Sequence, residues 1–84
     1  MNRSLLIILM RSRRASAVKV QKVLTEYGCM IKTRLGIHDG VLDKCSDTGL
    51  IILELVGPKA KKSALNKALK PLPGVKTKLV EISL

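Results

Sequence analysis

A short segment of this chain occurs twice. The sequence Ile-Lys-Thr-Arg-Leu at residues 31–35 returns 44 residues later as Val-Lys-Thr-Lys-Leu at residues 75–79. Each copy lies in a half whose pattern indicates strand, helix, strand, one from about Ser4 to Ile37 and the other from about Gly49 to Leu84. Halves of this size are too short to bury separate cores. They therefore predict a single domain, residues 1–84, built as a split βαβ unit.

The pattern between the repeats predicts the rest of the fold. Residues 5–10 and 50–56 are almost entirely apolar without alternation, which is typical of strands buried on both faces. Helical spacing follows each run, over residues 15–27 and after Gly57-Pro58. The order βαββαβ predicts an α+β ferredoxin-like plait, a four-stranded antiparallel sheet with two helices on one face. Right-handed connections place the apolar strands in the centre and the repeated segments at the edges.

The two repeated segments alternate between apolar and basic residues, as a strand with one covered face does. In the first copy, the alternation places Lys32 and Arg34 on the side of the sheet away from the helices. In the second copy, it places Lys76 and Lys78 on that same side. After Leu79 the apolar positions change parity, which predicts either a β-bulge or an interface that uses the second face.

The helices can cover only one face of this sheet, yet the central strands are apolar at nearly every position. The uncovered face should therefore present leucine and isoleucine at its middle. Apolar patches of this kind on a small domain usually mark an interface. We expect a homo-oligomer, a dimer or a tetramer, that forms through this face or the sheet edges.

The charge of the chain favours an anionic partner. The formal net charge is +10, and the chain has one Tyr, no Phe and no Trp. Base stacking on aromatic side chains, as in RNA-recognition motifs, is therefore excluded, and phosphate contact remains. Lysines on edge strands also protect against aggregation, so this alternative role stays open. The candidate anion or nucleic-acid contacts are Arg11, Arg13, Arg14, Lys32, Arg34, Lys76 and Lys78.

Several classes of function have no support in the sequence. The one histidine belongs to no nucleophile–base motif, so we expect no catalytic residues and no enzyme. The metal-ligand types His38, Asp39, Asp43, Cys45 and Asp47 share a loop, but no two form a recognised spacing, so no metal or cofactor is expected. Two cysteines make no disulfide framework, and no apolar run approaches a signal peptide or a membrane span. These features predict a cytoplasmic protein without membrane contact.

Two short motifs carry a resemblance to a known family. The sequence reads Arg-Leu-Gly-Ile at residues 34–37 and Leu-Pro-Gly-Val at residues 72–75. In these motifs and over nearly its whole length, the chain resembles the iron-only hydrogenase system regulators. That family has an ACT-like plait related in fold to the C-terminal domain of the nickel-responsive repressor. The resemblance implies a non-enzymatic transcriptional or hydrogenase-system regulator that forms dimers or tetramers, with Arg34, Gly36 and Gly74 as ligand or motif positions.

The leading interpretation is therefore an ACT-like regulatory module that senses an unidentified small ligand or binds a protein partner. The alternative is a ferredoxin-like protein that binds nucleic acid by charge alone. The two differ in their response to salt, since only charge-driven binding weakens steeply as the salt concentration rises.

Overall fold

The computed structural model describes residues 1–11, 13–38 and 48–84, and their side chains except those of residues 13–15 and 38. The order of elements is the predicted βαββαβ, with a short 3-10 turn at Gly28–Met30 before the second strand. The elements are β1 (Asn2–Met10), α1 (Arg13–Glu26), β2 (Ile31–His38), β3 (Gly49–Leu55), α2 (Lys59–Leu69) and β4 (Val75–Ser83).

The four strands form one antiparallel sheet in the order β2-β3-β1-β4. The apolar strands β1 and β3 are central and the repeated segments lie at the edges, as predicted. Helix α1 packs on β1, α2 packs on β4, and the two helices contact each other. The prediction of a ferredoxin-like α+β fold is confirmed. Among the described residues, no helix combines the length and hydrophobicity needed to cross a bilayer.

The core lies between the helices and one face of the sheet. Alternate residues of the central strands point into it, because successive side chains of a strand face opposite sides. Burial of one such leucine or isoleucine stabilises the fold by about 1.5–3 kcal/mol. The most deeply buried apolar residues are Leu6, Ile8, Val20, Leu24, Leu53, Leu65 and Leu69.

Strand β2 contains an extra residue near its start. Ile31 pairs with Leu55 and Thr33 pairs with Glu54, so Lys32 is inserted between two successive pairs as a β-bulge. One inserted residue reverses the facing of every residue that follows it. The prediction of unbroken alternation through the first repeat is therefore wrong.

The bulge determines the face on which Arg34 lies. Directly paired residues of antiparallel strands share a face of the sheet, and Arg34 pairs with the fully buried Leu53. Arg34 thus lies on the helix-covered face, and the prediction that it lies away from the helices is wrong. Leu35 pairs with Ile52 on the opposite face, where 52% of its surface is exposed.

Strand β4, in contrast, is regular. Its pairing with β1 runs without a shift from Ser83 to Val75. Of the two alternatives for the change of parity after Leu79, a bulge is therefore excluded. Because of the change of parity, Val80 and Ile82 lie on the face of the sheet that the helices leave uncovered.

The Leu-Pro-Gly-Val segment joins the turn that follows β1. The Arg11 amide donates to the Gly74 carbonyl at 2.7 Å. The buried Ser16 hydroxyl lies 3.2 Å from the Arg11 carbonyl and 3.1 Å from the Pro73 carbonyl. Gly74 has a φ of 74°, and a Cβ there would lie 2.9 Å from the Arg11 carbonyl oxygen. The second motif of the sequence is therefore a packing motif.

Candidate functional site: the open face of the sheet

We call the sheet face opposite the helices the open face. The registers place alternate residues of all four strands on it. They are Thr33, Leu35 and Ile37 of β2, Leu50, Ile52 and Glu54 of β3, Arg3, Leu5, Ile7 and Leu9 of β1, and Lys76, Lys78, Val80 and Ile82 of β4.

The middle of the open face is apolar across three strands. One row of paired residues is Ile37, Leu50 and Leu9, and the next is Leu35, Ile52 and Ile7. Leu9 and Ile37 expose 45% and 42% of their surface. These two rows form a contiguous apolar surface, in contrast to the scattered exposed leucines of an ordinary protein exterior.

A single carboxylate lies on this face among the described residues. Glu54 is paired with Arg3 by a hydrogen bond from the guanidinium Nε, and its side chain is only 14% exposed. That hydrogen bond, with the nearby charge of Lys32 as a smaller contribution, holds the pKa of Glu54 below its ordinary value. The same pairing raises the pKa of Arg3. Glu54 is therefore charged and neutralised within the sheet surface.

Lysines bound the open face along the β4 edge. Lys76 pairs with Leu9 and Lys78 pairs with Ile7, so both lie on this face, as the alternation of the sequence predicts. They stand at the end of the two apolar rows. A partner that covers the rows must therefore accommodate positive charge at one side.

Two of the other basic candidates, Arg34 and Arg11, do not join this surface. Arg34 lies on the opposite face, and Arg11 lies at the end of β1 beside a concavity of about 680 Å³ that Lys70 and Lys76 also line. Lys70 was not among the residues predicted from sequence, because its distance from Arg11 along the chain hides their proximity. The side chains of Arg13 and Arg14 lie outside the described residues.

The two motif glycines differ in environment. Gly74 is in close contact with the turn after β1, whereas a Cβ at Gly36 would meet nothing within 4 Å. Gly36 pairs with the buried Ile51 and so faces the helix layer. Packing therefore explains the glycine at position 74 and does not explain the glycine at position 36.

One partly buried polar cluster had no signal in the sequence. Ser4 is 1% exposed, and its hydroxyl lies 2.8 Å from Lys62 Nζ and 3.0 Å from a carboxylate oxygen of Glu81. The three residues come from β1, α2 and β4. Within the cluster, the Lys62 ammonium group finds hydrogen-bonding and charged partners where α2 packs on the sheet, so the role of the cluster is structural.

The metal-ligand types in the loop, Asp39, Asp43, Cys45 and Asp47, lie outside the described residues, as does the side chain of His38. Within the part of the chain that is described, no three histidine, cysteine, aspartate or glutamate side chains come together. Cys29 is exposed in the 3-10 turn with its thiol free.

The strand order and the placement of both helices define a ferredoxin-like α+β protein. Its fold matches that of the uncharacterized protein TM1266 from Thermotoga maritima, with a TM-score of 0.82 and 23% identity over 99% of this chain and 100% of that one. No protein-family model and no curated protein sequence matches the chain.

Two further solved structures share the fold at lower identity. One is CPII from Thiomonas intermedia K12, a nitrogen regulatory PII-like protein bound to ADP, AMP and bicarbonate, with a TM-score of 0.63 and 14% identity over 100% of this chain and 96% of that one. The other is a formyltetrahydrofolate deformylase from Pseudomonas putida KT2440, with a TM-score of 0.59 and 17% identity. This chain covers 28% of the deformylase, with 93% of its own length aligned.

Proposed function

We propose that this protein is a small, non-enzymatic, cytoplasmic regulatory module that self-associates through the open face of its sheet. The observation that carries the proposal is the pair of apolar rows on that face, six leucine and isoleucine residues that neither α1 nor α2 covers. Removing this surface from water is the driving force for association. The module acts by binding, with regulation exerted through its assembly or its contacts with a partner.

The size of the face supports one specific arrangement. Strands of seven to nine residues at about 3.3 Å per residue are about 23–30 Å long, and four strands about 4.8 Å apart make a face about 19 Å wide. The projected area is therefore roughly 520 Å², whereas a stable interface buries about 800 Å² of accessible surface per partner. A dimer of two open faces must cover nearly the whole face, so one charge placed in the apolar rows should disrupt it.

The comparisons support a regulatory role at the level of fold. CPII, with the same fold, is a nitrogen regulatory protein. Membership of the iron-only hydrogenase system regulators is part of our proposal, based on the Arg-Leu-Gly-Ile and Leu-Pro-Gly-Val motifs. The match to TM1266 covers nearly the whole of both chains, so the two proteins share the fold along their length.

Sedimentation equilibrium of the purified chain tests self-association and distinguishes a dimer from a tetramer. Leu35→Lys should shift the protein to the monomer, because Leu35 lies within the apolar rows and is exposed enough to be replaced without loss of the fold. Val18→Lys is the matched control, since Val18 is 76% exposed on α1, in the opposite layer. A monomeric wild-type protein at about 100 µM, well above the dissociation constants of specific dimers, would contradict the proposal.

A second candidate function is supported by a different surface. Arg11, Lys70 and Lys76 line one concavity, and the net charge of +10 would attract a polyanion to it. Binding there would rest on phosphate contacts alone, since the chain offers a single aromatic side chain for stacking.

Duplex DNA and single-stranded RNA, titrated at about 50 to 300 mM salt, test this alternative. It requires a steep loss of affinity with salt, and a further loss on Arg11→Gln or Lys76→Gln. Lys59→Gln is the control, because Lys59 is exposed at the start of α2, away from the concavity. Failure to bind at the lowest salt concentration would eliminate the alternative and leave the lysines as protection of the edge strand.

A further inference from the structure

A groove of about 570 Å³ opens on the helix-covered side, between α1 and the β2 edge of the sheet. It exists because the residues that should fill it are small. Gly36 and Gly49 on the sheet and Ala17 on α1 leave space between the two layers. Met10 and Ile51 form its inner wall. The volume lies within the range of small-molecule sites, about 300–1,000 Å³.

The bulge in β2 places one cation beside this groove. Without the extra residue at Lys32, Arg34 would face the opposite side of the sheet. With it, Arg34 lines the groove together with the apolar residues. β-bulges commonly redirect a side chain near a binding site. The bulge in β2 redirects Arg34 toward an unfilled apolar space in the same way.

The guanidinium of Arg34 is not used within the described part of the chain. The two ion pairs found there are Arg3–Glu54 and Lys62–Glu81, and no carboxylate lines the described groove. Gln21 is the other polar side chain of the lining, and its amide nitrogen lies 3.4 Å from the Thr25 hydroxyl. The groove thus combines apolar walls with one available positive charge.

We propose that this groove binds a small monocarboxylate with an apolar body, such as a medium-chain fatty acid or an arylalkanoic acid. The apolar body lies between Ala17 and Gly36, and the carboxylate accepts hydrogen bonds from the Arg34 guanidinium, whose planar donors match it. A zwitterionic ligand is disfavoured because its ammonium group finds no carboxylate in the described lining. A polyphosphate is disfavoured because the lining supplies one cation and is otherwise mostly apolar.

This proposal rests on the proposed function, because it names the class of ligand that the regulatory module would bind. Binding of a ligand in the groove does not, however, require self-association. Arg34, Gly36 and Ile51 of the groove lie on the helix-covered face, whereas the apolar rows lie on the open face; Ile37 and Leu50, at the end of the rows, also line the groove. The two proposals can therefore fail separately: sedimentation reports on the rows, and ligand titration reports on the groove.

Octanoate and 3-phenylpropionate, titrated into the full chain and followed by calorimetry and methyl NMR, test the inference. We expect saturable binding with shifts at Met10 and Val20, which line the groove, and not at Leu9 on the open face. The neutral analogue 3-phenylpropan-1-ol should bind at least about tenfold more weakly, because it forms no charge-assisted pair with Arg34.

Two variants separate the two parts of the site. Gly36→Leu should abolish binding by filling the groove, and it should fold, since a Cβ at this strand position meets nothing within 4 Å. Arg34→Gln should weaken binding of both acids about tenfold and leave the neutral analogue unchanged. Lys78→Gln, a charge removed from the other face, is the matched control and should bind as the wild type does.

The overturning results are equally specific. Absence of saturable binding of both acids at millimolar concentration would overturn the inference. So would equal affinity for the acid and the alcohol, or binding that Arg34→Gln leaves unchanged. If Gly36→Leu fails to fold, the methyl shifts of the wild-type chain and the Arg34→Gln titration still decide the question.

Discussion

Gly74→Ala is the substitution whose effect the structure defines most sharply. Gly74 enters β4 with a φ of 74°, in the left-handed region, and its carbonyl accepts the 2.7 Å hydrogen bond from the Arg11 amide. An alanine Cβ would lie 2.9 Å from the Arg11 carbonyl oxygen, a distance that real Cβ atoms do not tolerate. The oxygen belongs to the backbone, so relief requires the turn after β1 to move.

The cost has two parts. A non-glycine residue in the left-handed region costs about 1–2 kcal/mol. Moving the turn weakens the Arg11–Gly74 hydrogen bond and the contacts of Ser16, which adds about 1–2 kcal/mol. We therefore expect a loss of about 2–4 kcal/mol in the free energy of unfolding, or a fall in Tm of about 8–32 °C for a chain of this length.

Two other glycines provide a graded control. Gly57 has a φ of 107° but a Cβ there meets nothing within 4 Å, so Gly57→Ala should show the conformational cost alone, about 1–2 kcal/mol. A Cβ at Gly28 would meet nothing within 4 Å, and the residue has no positive φ. Gly28→Ala should therefore change the free energy of unfolding by less than about 0.5 kcal/mol. Urea unfolding followed by circular dichroism gives all three values. Equal losses at Gly74 and Gly57 would refute the close contact with Arg11 as a cause.

Further predictions concern the Arg3–Glu54 ion pair and the polar cluster of Ser4, Lys62 and Glu81. Because Arg3 lowers the pKa of Glu54, the pair stabilises the fold above the unfolded pKa of about 4.3, and this contribution is lost as the pH falls through the lower, folded value. Glu54→Gln should therefore lower Tm at neutral pH and converge with the wild type in acid; a constant difference across pH would contradict this. Ser4→Ala should cost about 1–3 kcal/mol, since it removes a partner of the half-buried Lys62 ammonium. Ser83→Ala removes an exposed hydroxyl and should cost less than about 0.5 kcal/mol in the same urea titration.

The sequence predicted the fold because its strongest signals are local and consistent with each other. The apolar runs that became β1 and β3 are long, and helical spacing follows each of them. Right-handed connection then leaves one arrangement of four strands. The repeated segments at residues 31–35 and 75–79 were correctly placed on the two edges.

The facing of Arg34 could not be predicted in the same way. The repeat implied that both edge strands alternate identically, but the bulge at Lys32 reverses β2 while β4 remains regular. A bulge depends on pairing with the neighbouring strand, and the sequence of β2 alone carries no mark of it. The parity change after Leu79 was visible in the sequence, yet only the register distinguished an exposed apolar face from a bulge.

The groove was missed for a related reason. A glycine in a strand pattern usually signals a bulge or a close backbone approach, and Gly36 follows the actual bulge by a few residues without marking it. Its significance depends on Ala17 and Gly49, which are distant in sequence and meet only in the folded layers. The Leu-Pro-Gly-Val motif, in contrast, has a packing explanation in the contact between Gly74 and Arg11.

The central claim, that a second copy of the chain covers the open face, is tested most directly by intermolecular methyl NOEs in a mixture of differently labelled chains. The probes are Ile7 and Ile52, which are paired neighbours on the open face. The internal controls are Ile8 and Ile51, which are paired with each other and buried beneath the helices. We predict intermolecular NOEs at Ile7 and Ile52 and none at Ile8 and Ile51. An associated protein whose intermolecular NOEs come only from the helix layer, at Val18 for example, would contradict the claim, as would a concentrated sample with no intermolecular NOEs.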